Sequence, residues 1–278
     1  MRSIVTRGLG AVALMLALSF IGGKAGAAGP YSFGVVPQFE QRKLHSIWDP
    51  VIAQIAQRAG ITIELVSTLT IQDFETAYVT GAYDFAYMNP YYILAASKVQ
   101  GYLPLVRDKA PLAGVLVVRQ DSAVQSAAEL DGKTVAFPTP NAIGASLLMR
   151  ADLARTFRVN VVPLYVKTHS AVYLNVLAGE AVAGGGVEKT LAEQDTAVRQ
   201  GLRVIHTTRD FPSHPVAAHP RVPVAVREAV RRAFLAMYHD ETGRALLAKV
   251  PMQEVVSTSL QDYTRMADLH LDELWDPH

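Results

Sequence analysis

The sequence predicts an α/β fold of two lobes, and three observations predict it. Apolar runs of strand length alternate with longer segments of helical periodicity through most of the chain, the pattern of strands joined by helices in largely parallel sheets. Gly60, Gly81, Gly101, Gly179 and Gly201 each follow such a segment, where a helix needs a residue that tolerates the left-handed region. Beyond a short leading segment about 250 residues remain, enough for two real cores, with no Gly/Ser tether between them.

Phe33 to Val36 is the first strand. Leu44 to Arg58 places Leu44, Ile47, Trp48, Val51, Ile52 and Ile55 at helical spacing, and Gly60 stops it. Ile61 to Val66 is a strand and Ile71 to Thr80 a helix ended by Gly81. A short strand from Asp84 leads into a helix from Tyr91 to Val99, and Leu112 to Arg119 is a long apolar strand. A small helix from Ser126 to Gly132 opens the second series. Thr134 begins its first strand, Ala142 to Phe157 is helical, Val161 to Val166 a strand, and Ser170 to Ala178 a helix. Ala181 to Val187 is a Gly-rich strand, Thr190 to Arg199 a helix and Leu202 to Thr207 a strand. Phe211 to Pro223, rich in Pro and His, reads as irregular. Helices at Val224 to Tyr238 and Glu241 to Val250 follow.

The leading segment has the build of an export signal. Arg2 and Arg7 precede an apolar run from Leu9 to Ile21, and Lys24-Ala25-Gly26-Ala27-Ala28 offers small residues for cleavage near Ala27 or Ala28. The run is shorter than the roughly 20 residues a membrane span needs. A periplasmic location is therefore expected. The chain has no Cys, so a lipid anchor, disulfides, a thiolate nucleophile and Cys-ligated metals are excluded. Removing Arg2, Arg7 and Lys24 from the 26 basic residues leaves 23 against 25 acids, a net charge of −2. Such a surface has no basic excess to recruit nucleic acid.

Two strands run into Asn-marked helix starts. Asp84-Phe85-Ala86-Tyr87-Met88 leads to Asn89-Pro90-Tyr91, and Lys133-Thr134-Val135-Ala136-Phe137 leads through Pro138-Thr139-Pro140 to Asn141-Ala142-Ile143-Gly144. A helix start presents unpaired N–H groups and the positive end of the dipole, so two aimed into one cleft would grip an anion. Asn89 and Asn141 would also serve simply as caps, and Tyr83, Tyr87, Tyr91 and Tyr92 as packed aromatics. Gly184-Gly185-Gly186 lacks the Lys and Ser/Thr of a nucleotide loop, and close backbone approach explains it better. His206, His214 and His219, with His45 or His169, would offer nitrogen ligands to a metal, but their spacing is only permissive, and neither a metal nor a cofactor is expected. No Gly-x-Ser-x-Gly elbow or paired acids with a nearby His stand out, so no enzyme is expected.

Longer stretches carry a resemblance. Phe33-Gly34-Val35-Val36-Pro37-Gln38, Leu44 with Trp48-Asp49-Pro50, and Gly81-Ala82-Tyr83-Asp84-Phe85-Ala86-Tyr87 with Pro90 and Tyr91 resemble the opening lobe of periplasmic phosphonate/phosphite/phosphate-binding proteins. These are the PhnD-like branch of type II ABC-transporter solute-binding proteins. The stretch Ala128-Glu129-Leu130-Asp131-Gly132-Lys133-Thr134-Val135-Ala136-Phe137, then His169 followed by Val172, Gly179 and Glu180, extends the resemblance across nearly the whole mature chain. The Leu130 to Val135 part alone is common in type II receptors of many specificities.

The resemblance implies a two-lobed type II periplasmic binding protein fold with a ligand cleft between the lobes. It divides the chain into a signal peptide at 1–28, lobe 1 at 29–115 plus 210–278, and lobe 2 at 116–209. It also implies a monomer that captures a small oxyanion for an ABC permease, or reports a small ligand to a membrane sensor kinase. Carried over position by position, the ligand-binding residues are Pro37, Gln38, Tyr87, Asn89, Tyr91, Thr139, Asn141, Ala142, Ile143 and His169. Gly185, Gly186 and Glu188 align loosely with a segment that presents a carboxylate in relatives. One departure is plain. The family's Ser-Thr-Ser-Gly loop is replaced by Asn141-Ala142-Ile143-Gly144, which keeps backbone donors and loses three hydroxyls. At about 1.5–3 kcal/mol for each hydrogen bond to a charged group, that loss bears directly on which anion binds.

Overall fold

The computed structural model describes residues 29–250 and 252–276. The expected signal segment and its cleavage point lie outside the described residues. No helix among the described residues is long and apolar enough to cross a membrane.

Strands β1 (Tyr31–Val35), β2 (Ile63–Ser67), β3 (Phe85–Tyr87) and β4 (Leu103–Asp108) start the first sheet. The chain then builds a second sheet from β5 (Gly114–Arg119), β6 (Thr134–Phe137), β7 (Val162–Tyr165), β8 (Ala183–Val187) and β9 (Leu202–Thr207). It returns with β10 (Pro215–Ala218) and β11 (Val255–Ser257) to complete the first. The orders are β11-β4-β10-β3-β1-β2 and β7-β6-β8-β5-β9. Helices α1 (Gln41–Ala59), α2 (Ile71–Val79), α3 (Tyr92–Gln100), α8 (Val224–Tyr238), α9 (Glu241–Leu247) and α10 (Gln261–Thr264) belong to the first half of the fold. The other half has α4 (Met149–Arg155), α5 (His169–Ala178), α6 (Glu188–Ala192) and α7 (Thr196–Gln200).

The expected parallel sheets are mixed ones. β1 pairs in parallel with β2 and β3, but β10 runs antiparallel between β3 and β4, and β5 runs antiparallel to β8 and β9. The segment read as irregular thus holds a central strand. All four residues of β10 are buried, so it shows no alternation to read. β4, which has no counterpart in the sequence reading, carries Pro104. The register with β10 slips between Val216 and Ala217, whose partners are Val106 and Pro104, and a bulge is where a sheet tolerates a residue without N–H.

Two helices also differ from expectation. The segment after Asn141 opens with a wide helical turn, Ile143–Leu148, in which Leu147 N–H reaches back to Ala142 O at 3.1 Å. The stretch from Thr190 to Arg199 is split into α6 and α7.

The glycine triplet explains how the second half packs. A Cβ on Gly184 would meet Val172 and Val176 of α5 at 2.6 and 2.8 Å, and one on Gly186 would meet Tyr173 Oη at 2.2 Å. On the other face a Cβ on Gly185 would sit 2.1 Å from Ala145 O. β8 therefore lies pressed between α5 and the wide turn, which fixes both at the edge of the cleft.

The chain crosses between sheets twice, at 109–113 and 208–214, and the crossings pair. Leu112 N–H donates to Phe211 O at 2.8 Å and Phe211 N–H to Leu112 O at 3.0 Å. β5 starts at Gly114, so the expected division after residue 115 falls inside a strand of the second sheet.

The C-terminal residues form a third link. Tyr91 Oη donates to Asp272 Oδ1 at 2.5 Å, and the Trp275 ring packs on Tyr91 and Tyr92 at 5.8 and 5.5 Å. From the other half, Asn141 exchanges two hydrogen bonds with the Asp276 backbone at 2.8 and 3.0 Å. Arg155 reaches Leu269 O and Glu273 at 2.6 and 3.0 Å.

Candidate functional site

A cavity of about 430 Å³ opens between the two sheets. Its wall is built from the carboxyl ends of parallel strands, where open α/β sheets place ligands. Val36, Pro37 and Gln38 follow β1, Asn89 follows β3, Pro138 and Thr139 follow β6, Lys167 to Ser170 follow β7, and Val187, Lys189 and Thr190 close β8. Ala142, Ile143, Gly144 and Ala145 bring the wide turn to the wall, and Leu112, Phe211 and His214 bring the crossings.

Seven of the expected ligand-binding residues line this space: Pro37, Gln38, Asn89, Thr139, Ala142, Ile143 and His169. The other three do not. Tyr87 lies on a central strand beneath α1, its ring 4.8 Å from Trp48 and 5.3 Å from His214, fully covered by both. Tyr91 is turned to the C-terminal link by Asp272 and Trp275. Asn141 spends its carboxamide on the Asp276 backbone and does not cap the helix that follows. Asn89 does act near a helix start, its Oδ1 accepting Tyr91 N–H at 2.8 Å. The loosely aligned Gly185 and Gly186 are committed to packing, and at the β8 end it is Lys189 and Glu193 that reach the cavity, whereas Glu188 does not.

Two side chains inside the cleft are conspicuous for what they lack. Thr139 Oγ1 and His169 Nδ1 are sealed from solvent and have no hydrogen-bond partner among the described residues. A buried polar group without a partner costs about 1–3 kcal/mol, so such atoms mark places where something else binds. His169 is the first residue of α5. Thr168 caps that helix, its Oγ1 accepting Ala171 N–H at 3.1 Å. The earlier N–H groups of the helix have no acceptor of their own within it. Lys167, just before, holds a left-handed φ of 74°, secured by its N–H to Pro138 O at 2.7 Å. Strain of this kind is retained where neighbours dictate it.

His214, which the sequence offers as a candidate metal ligand or pocket residue on a cleft-facing loop but not among the ligand-binding set, lines the cavity. Gln38 Nε2 donates to its Nε2 at 3.1 Å, which places the proton of the neutral ring on Nδ1. Burial pushes the His169 imidazole down to about 4. Burial, then His169, then Lys189, push that of His214 down to about 3. Both rings are neutral at pH 7 in the empty cleft. Burial also lowers the Lys189 ammonium, against the opposing pull of Asp108 and Glu193. Lys189 was legible as a strand-end residue beside Glu188.

The expected metal constellation is dispersed. His206 pairs with Asp152 at 2.7 Å, His45 with Asp49 at 3.1 Å, and His219 with Gln100. Among the described residues no group of three or more His, Cys, Asp or Glu is placed to hold a metal ion.

Residues 33–263 match the family described as ABC transporter, phosphonate, periplasmic substrate-binding protein. The chain belongs to that family. Solved structures of the same fold include a binding-protein component of an ABC phosphonate transporter from Pseudomonas aeruginosa. It is 15% identical, with 88% of this chain and 86% of that chain covered and a TM-score of 0.74. PhnD1 from Prochlorococcus marinus, in complex with methylphosphonate, is 11% identical over 87% and 97% of the two chains, with a TM-score of 0.76. XAC2383 from Xanthomonas citri, bound to ATP, is 15% identical over 89% and 98%, with a TM-score of 0.74. The phosphonate-receptor family is a substrate-binding component of transporters, so a small-molecule ligand, a permease partner and a periplasmic setting come with membership.

Proposed function

We propose that this protein captures a small oxyanion, a phosphonate, phosphite or phosphate-like species, between its two lobes and delivers it as a monomer to an ABC permease. The observation that carries the reading is the pair of orphaned polar atoms, Thr139 Oγ1 and His169 Nδ1, on one cavity wall. An oxyanion would accept from the Thr139 hydroxyl, from the imidazole, and from the N–H groups at the start of α5, with Lys189 supplying charge. These groups stand in for the hydroxyls absent from Asn141-Ala142-Ile143-Gly144. The paired crossings serve as the hinge, and closure joins Gln38 and Asn89 on one lobe to Thr139 and His169 on the other.

The test is a thermal-shift screen of the ligand-stripped mature chain against methylphosphonate, phosphite, phosphate, sulfate and carboxylates, with calorimetry on each hit. A shift with a phosphorus oxyanion, lost in His169→Ala, is expected. Shifts with carboxylates alone would refute the oxyanion reading while leaving the fold and the receptor role in place.

A further inference from the structure

The cleft holds two imidazoles rather than one. His169 opens α5 in the second half, and His214 sits on the return crossing just before β10. Both line the same cavity. His169 Nδ1 is sealed with no protein partner among the described residues, while Nε2 of His214 is held by Gln38 and its ring lies flat on Tyr87, 5.3 Å between centroids. Among the described residues no carboxylate is hydrogen-bonded to either ring. We propose that His214 and His169 form a recognition pair that takes a doubly ionised oxyanion together with one proton.

The roles differ because the surroundings differ. Gln38 donates to His214 Nε2, so this ring stays neutral and offers its Nδ1–H to the ligand. The His169 ring is free to charge on both nitrogens, and an adjacent oxyanion favours that. In the empty cleft, protonation of His169 is opposed by burial, and that of His214 by burial, by His169 and by Lys189. The other charged groups facing the space are Glu40 and Lys43 at the start of α1, Lys167 before α5, Glu193 and Asp195 beyond Lys189, and Lys249 after α9. Asp108, at the end of β4, and Glu193 both act on Lys189 and favour its charged form. A dianion would meet Lys189 and a charged His169 as two compensating cations. A monoanion of the same shape would leave the second cation uncompensated.

The inference rests on the oxyanion reading above and is tested separately from it. Calorimetry of the mature chain with methylphosphonate, in buffers of different ionisation enthalpy between pH 6 and 8, counts protons taken up. The ligand's own titration cancels in comparison with His169→Gln. The wild type is expected to take up about one proton more than that variant. Its advantage in affinity should grow as pH falls, up to about tenfold per unit. His169→Gln should also shrink the preference for methylphosphonate over the singly charged methanesulfonate by about tenfold or more, and His214→Ala, which removes a donor, should weaken methylphosphonate binding by about tenfold. Equal melting temperatures would show that both variants fold. Binding with the same proton count in wild type and His169→Gln, or an unchanged affinity for methylphosphonate in His214→Ala, overturns this pair alone. No binding of methylphosphonate by the wild type overturns the oxyanion reading and this inference with it.

Discussion

Thr139→Val should make the empty protein more stable and a worse receptor. The hydroxyl is sealed from solvent without a partner, so the empty fold bears a desolvation cost of about 1–3 kcal/mol. Valine keeps the shape and removes the polar atom. Part of the gain is offset because its methyl must fit where the oxygen was, and the expected net is a stabilisation of about 1 kcal/mol. Valine also takes away a hydrogen bond to a charged ligand, worth about 1.5–3 kcal/mol, which is roughly a 10- to 150-fold loss in affinity. Urea unfolding of the ligand-free protein gives the first quantity and calorimetry with the screened oxyanion gives the second. A variant that is clearly less stable when empty would mean that the hydroxyl already serves the fold. Unchanged affinity would remove Thr139 from the ligand shell.

Other consequences are equally open to measurement. Gly185→Ala places a Cβ 2.1 Å from Ala145 O, backbone against backbone. It should cost about 3 kcal/mol or more in chemical unfolding, with ligand affinity falling as the wide turn moves. Gly132→Ala, at φ 67° in open space, should cost only about 1–2 kcal/mol. The depressed His169 and His214 imidazoles bind protons more readily in the unfolded chain. The empty protein should therefore lose stability as pH falls from about 6.5, the ordinary histidine value, toward about 4. A melting temperature that stays flat between pH 7 and 4.5 would contradict their burial, and bound oxyanion should reduce the loss. Asn141→Ala removes both hydrogen bonds to Asp276. It should destabilise by about 1–3 kcal/mol and make the C-terminal link more sensitive to proteolysis.

Much of the fold was legible because its signals are local. β9 and α8 fall where the apolar pattern puts them, at Leu202–Thr207 and Val224–Tyr238. The glycines at 60, 101 and 179 adopt the left-handed caps their positions suggest. β4 and β10 were not legible. A four-residue strand of Pro-Val-Ala-Ala between two His-Pro pairs has no local preference strong enough to announce itself. It is a strand because β3 and β4 lie on either side with open hydrogen-bonding edges.

The candidate site divides along the same line. Strand-end rules and helix starts point to Pro37, Gln38, Asn89, Thr139, Ala142, Ile143 and His169, all of which depend on local register. Tyr87, Tyr91 and Asn141 look equally suited from sequence. Each was claimed by a group far along the chain: His214 against Tyr87, Asp272 against Tyr91, and Asp276 against Asn141.

The sequence by itself determined the family, the alternation of strands and helices, and which strand ends face a cleft, because periodicity, caps and strand direction are properties of short segments. Only the tertiary structure decided that the sheets are mixed, that the C-terminal residues bind both halves, and that His214 and His169 line one cavity. Those outcomes turn on contacts between residues tens to more than a hundred positions apart. No local pattern specifies them, and the burial and partners of each side chain are settled only when the two halves come together.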